Sequence, residues 1–137
     1  MVNPRKVSLA MSQAKLEDLL IDEEGLNEGL LAGVLAPYVN IGDESGAFAP
    51  TTEFKSLDTT QQTVVALLYQ RAAHELDFVE QEGASPSEIA ESTGINHNSV
   101  KTAVRNLDEL GLVVNDGGEY SIPPYKFDQA EELIEGE

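Results

Sequence analysis

Gly94 restricts the folding of this chain more than any other residue. It lies inside Ser85–Val114, which reads SPSEIAESTGINHNSVKTAVRNLDELGLVV. Apolar residues recur at helical spacing on both sides of it. Ser85, Pro86 and Glu88 make a helix start: a capping hydroxyl, a proline in the first turn, and a glutamate three residues after the cap. Ile89 and Ala90 are expected to face inward, and Ala90 is small enough for another helix to cross closely. This helix should end at Ser92 or Thr93. Gly94 then gives a sharp turn, where a positive φ comes easily only to glycine. Ile95 plugs the corner. Asn96 caps a second helix with Val100, Ala103, Val104, Leu107 and Leu110 as its buried face, and Gly111 stops it.

Small Ala90, glycine four later, Val100 six after that and then Ala103 make the spacing of a helix-turn-helix. The continuation VVNDGGEYSI reads as strand, turn, strand, with Asp116 and Gly117 as the turn signal. Tyr120 and Ile122 alternate with polar neighbours on the return strand, and Pro123 and Pro124 end it. Asn96 to Leu107 holds two basic residues, Lys101 and Arg105, and no acidic one. In a chain of net charge −17, that acid-free stretch points to a polyanionic partner.

Residues 59–125 resemble the winged helix-turn-helix domain of prokaryotic transcription regulators, including the MarR-like and ArsR-like groups common in archaea. SPSEIAESTGINHNSVKTAVRNLDELGLV is similar to the family's stretch from its second helix into the wing. The resemblance covers about half of the chain. It implies a mainly α fold with a small β-hairpin wing for these residues; residues 1–58 resemble no known family, and their N-terminal helical segment is read from periodicity alone. The resemblance further implies a sequence-specific DNA-binding protein, a transcription regulator that holds double-stranded DNA as a homodimer. The helix 96–110 would then lie in the major groove with its N-terminal residues against base edges. The matching positions are Asn96, His97, Asn98, Ser99, Lys101, Thr102, Arg105 and Asn106. Asparagine can pair bidentately with adenine and arginine with guanine. Hydroxyls and helix-start amides can hold phosphate. The hairpin tip departs from the family, whose wings carry Arg or Lys where this chain has Asp116 and Glu119.

The rest of the chain is less specific. Ser12 is a candidate cap for a helix with Ala14, Leu16, Leu19 and Leu20 on one face. After Gly25, the residues Leu26, Leu30, Leu31, Val34 and Leu35 continue at helical spacing to Pro37. This predicts a helical hairpin or a broken helix. Asn40 to Thr52 reads as a loop and linker. Asp58 or Thr59 starts a long helix through Val64, Leu67, Leu68 and Leu76, which Gly83 ends. The expected organisation is therefore 1–52, an N-terminal helical segment and linker; 53–125, the winged domain; and 126–137, an acidic C-terminal helix or fraying tail. Leu16 to Leu35 and Phe127 to Ile134 are expected to help dimerise.

Acid is spread along the whole chain: −6 over residues 1–58, −7 over 59–125 and −4 over 126–137. Such uniform acidity fits a halophilic, archaeal proteome, where dense carboxylates keep a surface hydrated and molar salt screens charge beyond about 3 Å. No signal peptide or membrane span is read, so a cytoplasmic protein is expected; Met11 is an alternative start. With no cysteine and only His74 and His97, no metal site and no cofactor are expected. Asp22, Glu23 and Glu24 before Gly25 lack the spacing of a calcium loop and read as a solvated helix end. There is no catalytic arrangement of nucleophile and base, so no enzyme is expected. The alternative to DNA binding is a winged-helix protein-interaction module within a transcription, replication or chromosome-segregation assembly.

Overall fold

The computed structural model describes residues 15–136. A 3-10 turn at Leu16–Leu19 leads into helix α1 (Glu23–Leu35), then strands β1 (Val39–Ile41) and β2 (Phe48–Pro50). A helical turn α2 (Thr52–Lys55) precedes the long helix α3 (Thr59–Glu75). Helices α4 (Pro86–Thr93) and α5 (His97–Glu109) are followed by strands β3 (Val114–Asp116) and β4 (Glu119–Ser121). A 3-10 turn at Pro124–Lys126 opens the last helix, α6 (Phe127–Glu135). The fold is mainly helical with two separate small antiparallel hairpins.

The axis is α3. Asp58 caps it reciprocally: its carboxylate accepts from the Gln61 amide at 2.8 Å, while the Gln61 side chain accepts from the Asp58 amide at 3.0 Å. Thr63 through Tyr69 are all buried in succession. A helix apolar on every side has to be surrounded, and α1, α5, α6 and β4 all pack on it. Each fully buried Val or Leu here contributes about 1.5–3 kcal/mol. Arg71 is buried but satisfied: its Nε donates to the Ile122 carbonyl at 3.0 Å and its Nη2 to Glu82 at 3.3 Å. That pairing offsets the desolvation of its charge.

One core joins residues from α1, the first hairpin, α3, α5 and α6. The chain just before α4 also adds an edge to the second hairpin. The Ala84 amide donates to the Tyr120 carbonyl at 2.9 Å, and the Tyr120 amide to the Ala84 carbonyl at 2.8 Å. Gly83 makes this approach possible, because a Cβ there would stand 2.8 Å from the Tyr120 carbonyl oxygen.

Several sequence expectations change. Residues 40–52 are no linker: β1 and β2 pair from Val39↔Pro50 to Ile41↔Phe48. Phe48 packs edge-on against Phe54 and Tyr69, with ring centroids 5.3 and 5.1 Å away. The N-terminal pattern gives the broken form rather than a helical hairpin, a 3-10 turn at Leu16–Leu19 and then a helix from Glu23, with the break before Glu23 and not at Gly25. Gly25 lies in the first turn of that helix, where its amide donates to the capping Asp22 carboxylate at 3.1 Å. α3 ends at Glu75, well before Gly83, where Leu76 caps it and Asp77 takes a left-handed φ of 66°. Leu110 is 64% exposed and leaves the buried face of α5. The C-terminal helix is docked on the core: Phe127, Ala130 and Ile134 are buried, and Gln61 Nε2 donates to the Leu133 and Ile134 carbonyls at 3.1 Å. Leu31, Val34, Leu35, Phe127 and Ile134 thus serve the chain's own core. The expected cap at Ser12, the helical residue Ala14 and the alternative start Met11 lie outside the described residues. Among the described residues, no helix is long and apolar enough to cross a membrane.

Candidate nucleic-acid interface

Local chemistry positions α4 and α5. The Ser85 hydroxyl accepts from the Glu88 amide at 3.2 Å and Glu88 Oε1 accepts from the Ser85 amide at 2.9 Å. Pro86 opens α4, and Gly94 closes it at φ 81°. The chain then re-enters a helix within three residues because Asn96 caps α5, its Oδ1 accepting from the Asn98 amide at 2.9 Å and the Ser99 amide at 3.3 Å. Val100, Ala103, Val104 and Leu107 hold the other face of α5 in the core against α3 and α4.

Burying that stripe presents the opposite face to solvent. All eight candidate residues, Asn96, His97, Asn98, Ser99, Lys101, Thr102, Arg105 and Asn106, are exposed. They are not equally free. The Asn96 oxygen is committed to its cap, so this residue is better suited to fixing the helix start than to reading a base. The Thr102 hydroxyl donates to the Asn98 carbonyl at 3.2 Å, and His97 Nε2 lies 3.3 Å from the Ser87 hydroxyl. Lys101 and Arg105, one turn apart, make no salt bridge among the described residues; the pairs there, Arg71–Glu82 and His74–Glu82, lie elsewhere. Asn98, Ser99 and Asn106 keep side chains open to a partner.

Two residues join this face that sequence reasoning missed. Thr59 and Thr60, at the start of α3, line a shallow, open cleft of about 370 Å³ with Asn98, Ser99, Thr102, Ala103 and Asn106. Nothing local in the sequence signals this, because it depends on α5 crossing the end of α3. The cleft wall carries hydroxyls and amides and no charge. β3 and β4 turn through Gly117 and Gly118 at φ 64° and 95°, within the Asp116–Gly118 stretch that the sequence marks as the turn. The Asn115 side chain braces this turn by accepting from the Gly118 amide at 2.9 Å. Asp116 and Glu119 pair across the strands at its tip.

The face offers hydrogen-bond donors, acceptors and two cations. Among the described residues, no cluster of three or more His, Asp or Glu is placed to hold a metal ion. Comparison with family models, with curated proteins and with solved structures found no match to this chain.

Proposed function

We propose that this protein binds double-stranded DNA sequence-specifically, as a transcription regulator of winged helix-turn-helix type with α5 in the major groove. The observation that carries this reading is the exposed polar face of α5. It holds Lys101 and Arg105 and no acid from Asn96 to Leu107, in a chain of net charge −17. A helix about 10–12 Å across fits the roughly 12 Å major groove. Two further features support it. Gly94 sets α4 against α5 by a short turn, and Ala84 adds an edge to the β3–β4 hairpin, which then serves as the wing. One pair of cations is a small footprint, so a homodimer with its two α5 helices about one DNA turn apart would supply the affinity.

Mobility shift on genomic fragments in molar KCl tests this. Arg105→Ala should cost about 1–3 kcal/mol and relax preference at one base position, whereas Lys101→Ala should weaken all sequences alike. Retention that is unaltered in Arg105→Ala would rule out base reading by this helix. In a halophilic, archaeal cytoplasm the salt slope should be shallow or reversed, because cations are taken up between two acidic surfaces; the ordinary steep fall with salt would count against that setting. A second reading, a protein-interaction module, is favoured by Asp116 and Glu119 at the hairpin tip and by exposed Leu110 and Val114 beside it. It predicts no DNA retention and co-purification of a protein partner.

A further inference from the structure

Four large apolar side chains precede α1 and are hardly covered by the chain that carries them. Leu16 is 84% exposed, Leu19 75%, Leu20 77% and Ile21 65%. They occupy six consecutive residues in a strongly acidic molecule. Dense apolar exposure of this kind marks a contact surface. The same chain carries a groove of matching character between α1, β1 and the end of α3. Leu31, Leu35, Val39, Ile41 and Leu76 line a space of about 350 Å³, with Glu28 and Glu75 at its edge. Lys15, which opens the apolar arm, is exposed and makes no salt bridge among the described residues. Its charge complements the acidic edge of the groove.

In the single chain all four side chains stand out in solvent and none is seated in the chain's own groove, and connectivity limits how far the part of the arm next to α1 can fold back. Leu20 stands three residues before Glu23, where α1 begins. Extended chain spans at most about 3.5 Å per residue, so Leu20 stays within about 10 Å of the helix start. The groove runs along α1 from Glu28 to Ala36. Ala32, at its middle, is nine residues beyond Glu23, about 14 Å along the helix axis. Leu20 and Ile21 therefore fall short of the middle of their own groove, and only Leu16 and Leu19 have the length of chain to reach it, so the four cannot seat there together. A second copy has no such tether.

We propose that Leu16–Ile21 of one chain seats in the α1–α3 groove of a second copy, which returns the contact. This reciprocal exchange closes as a two-fold dimer. Covering a leucine removes roughly 60–120 Å² of apolar surface. Four such residues per arm, with both arms and both grooves counted, bury on the order of 1,000–2,000 Å², the range of a stable interface. Lys15 then meets Glu28 and Glu75 of the other copy. The proposal does not depend on the DNA reading.

The absence of cysteine makes the geometry directly measurable. Full-length Leu20→Cys and Ala32→Cys are mixed and oxidised. A disulfide-linked pair of twice the chain mass should form in the mixture and not in either variant alone. Leu20→Asp/Ile21→Asp alters only exposed positions, so its thermal melting as a single chain should not change. In light scattering it should raise the dimer dissociation constant more than roughly a hundredfold. The proposal is overturned by a monomer mass at the highest attainable concentration, by a dimer that Leu20→Asp/Ile21→Asp leaves intact, or by a mixture without the mixed disulfide. A Leu20→Cys/Ala32→Cys double variant that closes within one chain at monomer mass overturns it too, by placing the arm in its own groove.

Discussion

The two hairpins have strands of equal length, three residues each, and are held in opposite ways. The first is tied down from outside. Phe48 sits among Phe54 and Tyr69, and the Tyr69 hydroxyl donates to the Gly46 carbonyl in the connecting loop. Gly46 is buried and left-handed, and the Phe78 ring fills the space where a side chain would go. The turn of the second hairpin has no such external anchor. Gly117 and Gly118 adopt the successive positive φ values of a type I′ turn, and nothing stands within 4 Å of where their Cβ atoms would be. Both hairpins touch the core, the second through β4 on α3 and the edge at Ala84, but the first is anchored at its connecting loop whereas the turn of the second stands free.

That contrast predicts unequal tolerance. Gly46→Ala should be the most damaging change, at about 3–5 kcal/mol, because it adds a Cβ 2.5 Å from the Phe78 ring on a left-handed backbone. A urea midpoint close to that of the unaltered chain would show that the first hairpin is not anchored there. Tyr69→Phe should cost about 1–3 kcal/mol by leaving the Gly46 carbonyl without its donor. Burial raises the Tyr69 pKa above its ordinary 10.0. The folded chain thus holds the phenol proton more tightly than the unfolded chain does. This contribution is whole below about pH 10 and is lost as pH climbs through the raised folded value. The urea midpoint should fall through that range, and fall less steeply in Tyr69→Phe. Gly118→Ala should cost only about 1–2 kcal/mol, the penalty of a left-handed alanine, and Gly117→Asn should stay within about 0.5 kcal/mol. If Gly118→Ala matched Gly46→Ala in cost, the second hairpin would have to be anchored as the first is.

The same contrast explains what the sequence could reveal. The second hairpin, the cap at Ser85, the turn at Gly94 and the stripe from Val100 to Leu107 rest on neighbours a few residues away, so their signals are local. The first hairpin has the local sequence of a linker because what holds it, Tyr69 and Phe78, comes from distant parts of the chain. Gln61 reaching Leu133 and Ile134 across more than 70 residues hid the docking of α6 in the same way. At the candidate interface, the exposed face of α5 was legible because burying one side of a helix fixes the other. Thr59 and Thr60 were not, since they join that face only where two helices cross.

A comparably small effect, on binding rather than stability, probes the turn of the second hairpin where the DNA reading is most exposed to failure. Asp116 and Glu119 put negative charge at a tip that, as a wing, would approach phosphates. One surface charge changes binding by up to about 1 kcal/mol, roughly fivefold. At low KCl, Asp116→Ala should therefore tighten DNA binding by up to about fivefold, because it removes repulsion. In molar KCl that repulsion is screened beyond about 3 Å and the gain should vanish. If potassium ions bridge the carboxylate to phosphate there, the sign reverses and Asp116→Ala binds more weakly than the unaltered chain. Affinity equal to that of the unaltered chain at every salt concentration would mean that the tip stands clear of DNA. The second hairpin would then contribute to the α4–α5 frame only through its edge at Ala84, and any grip on DNA would fall to α5 alone.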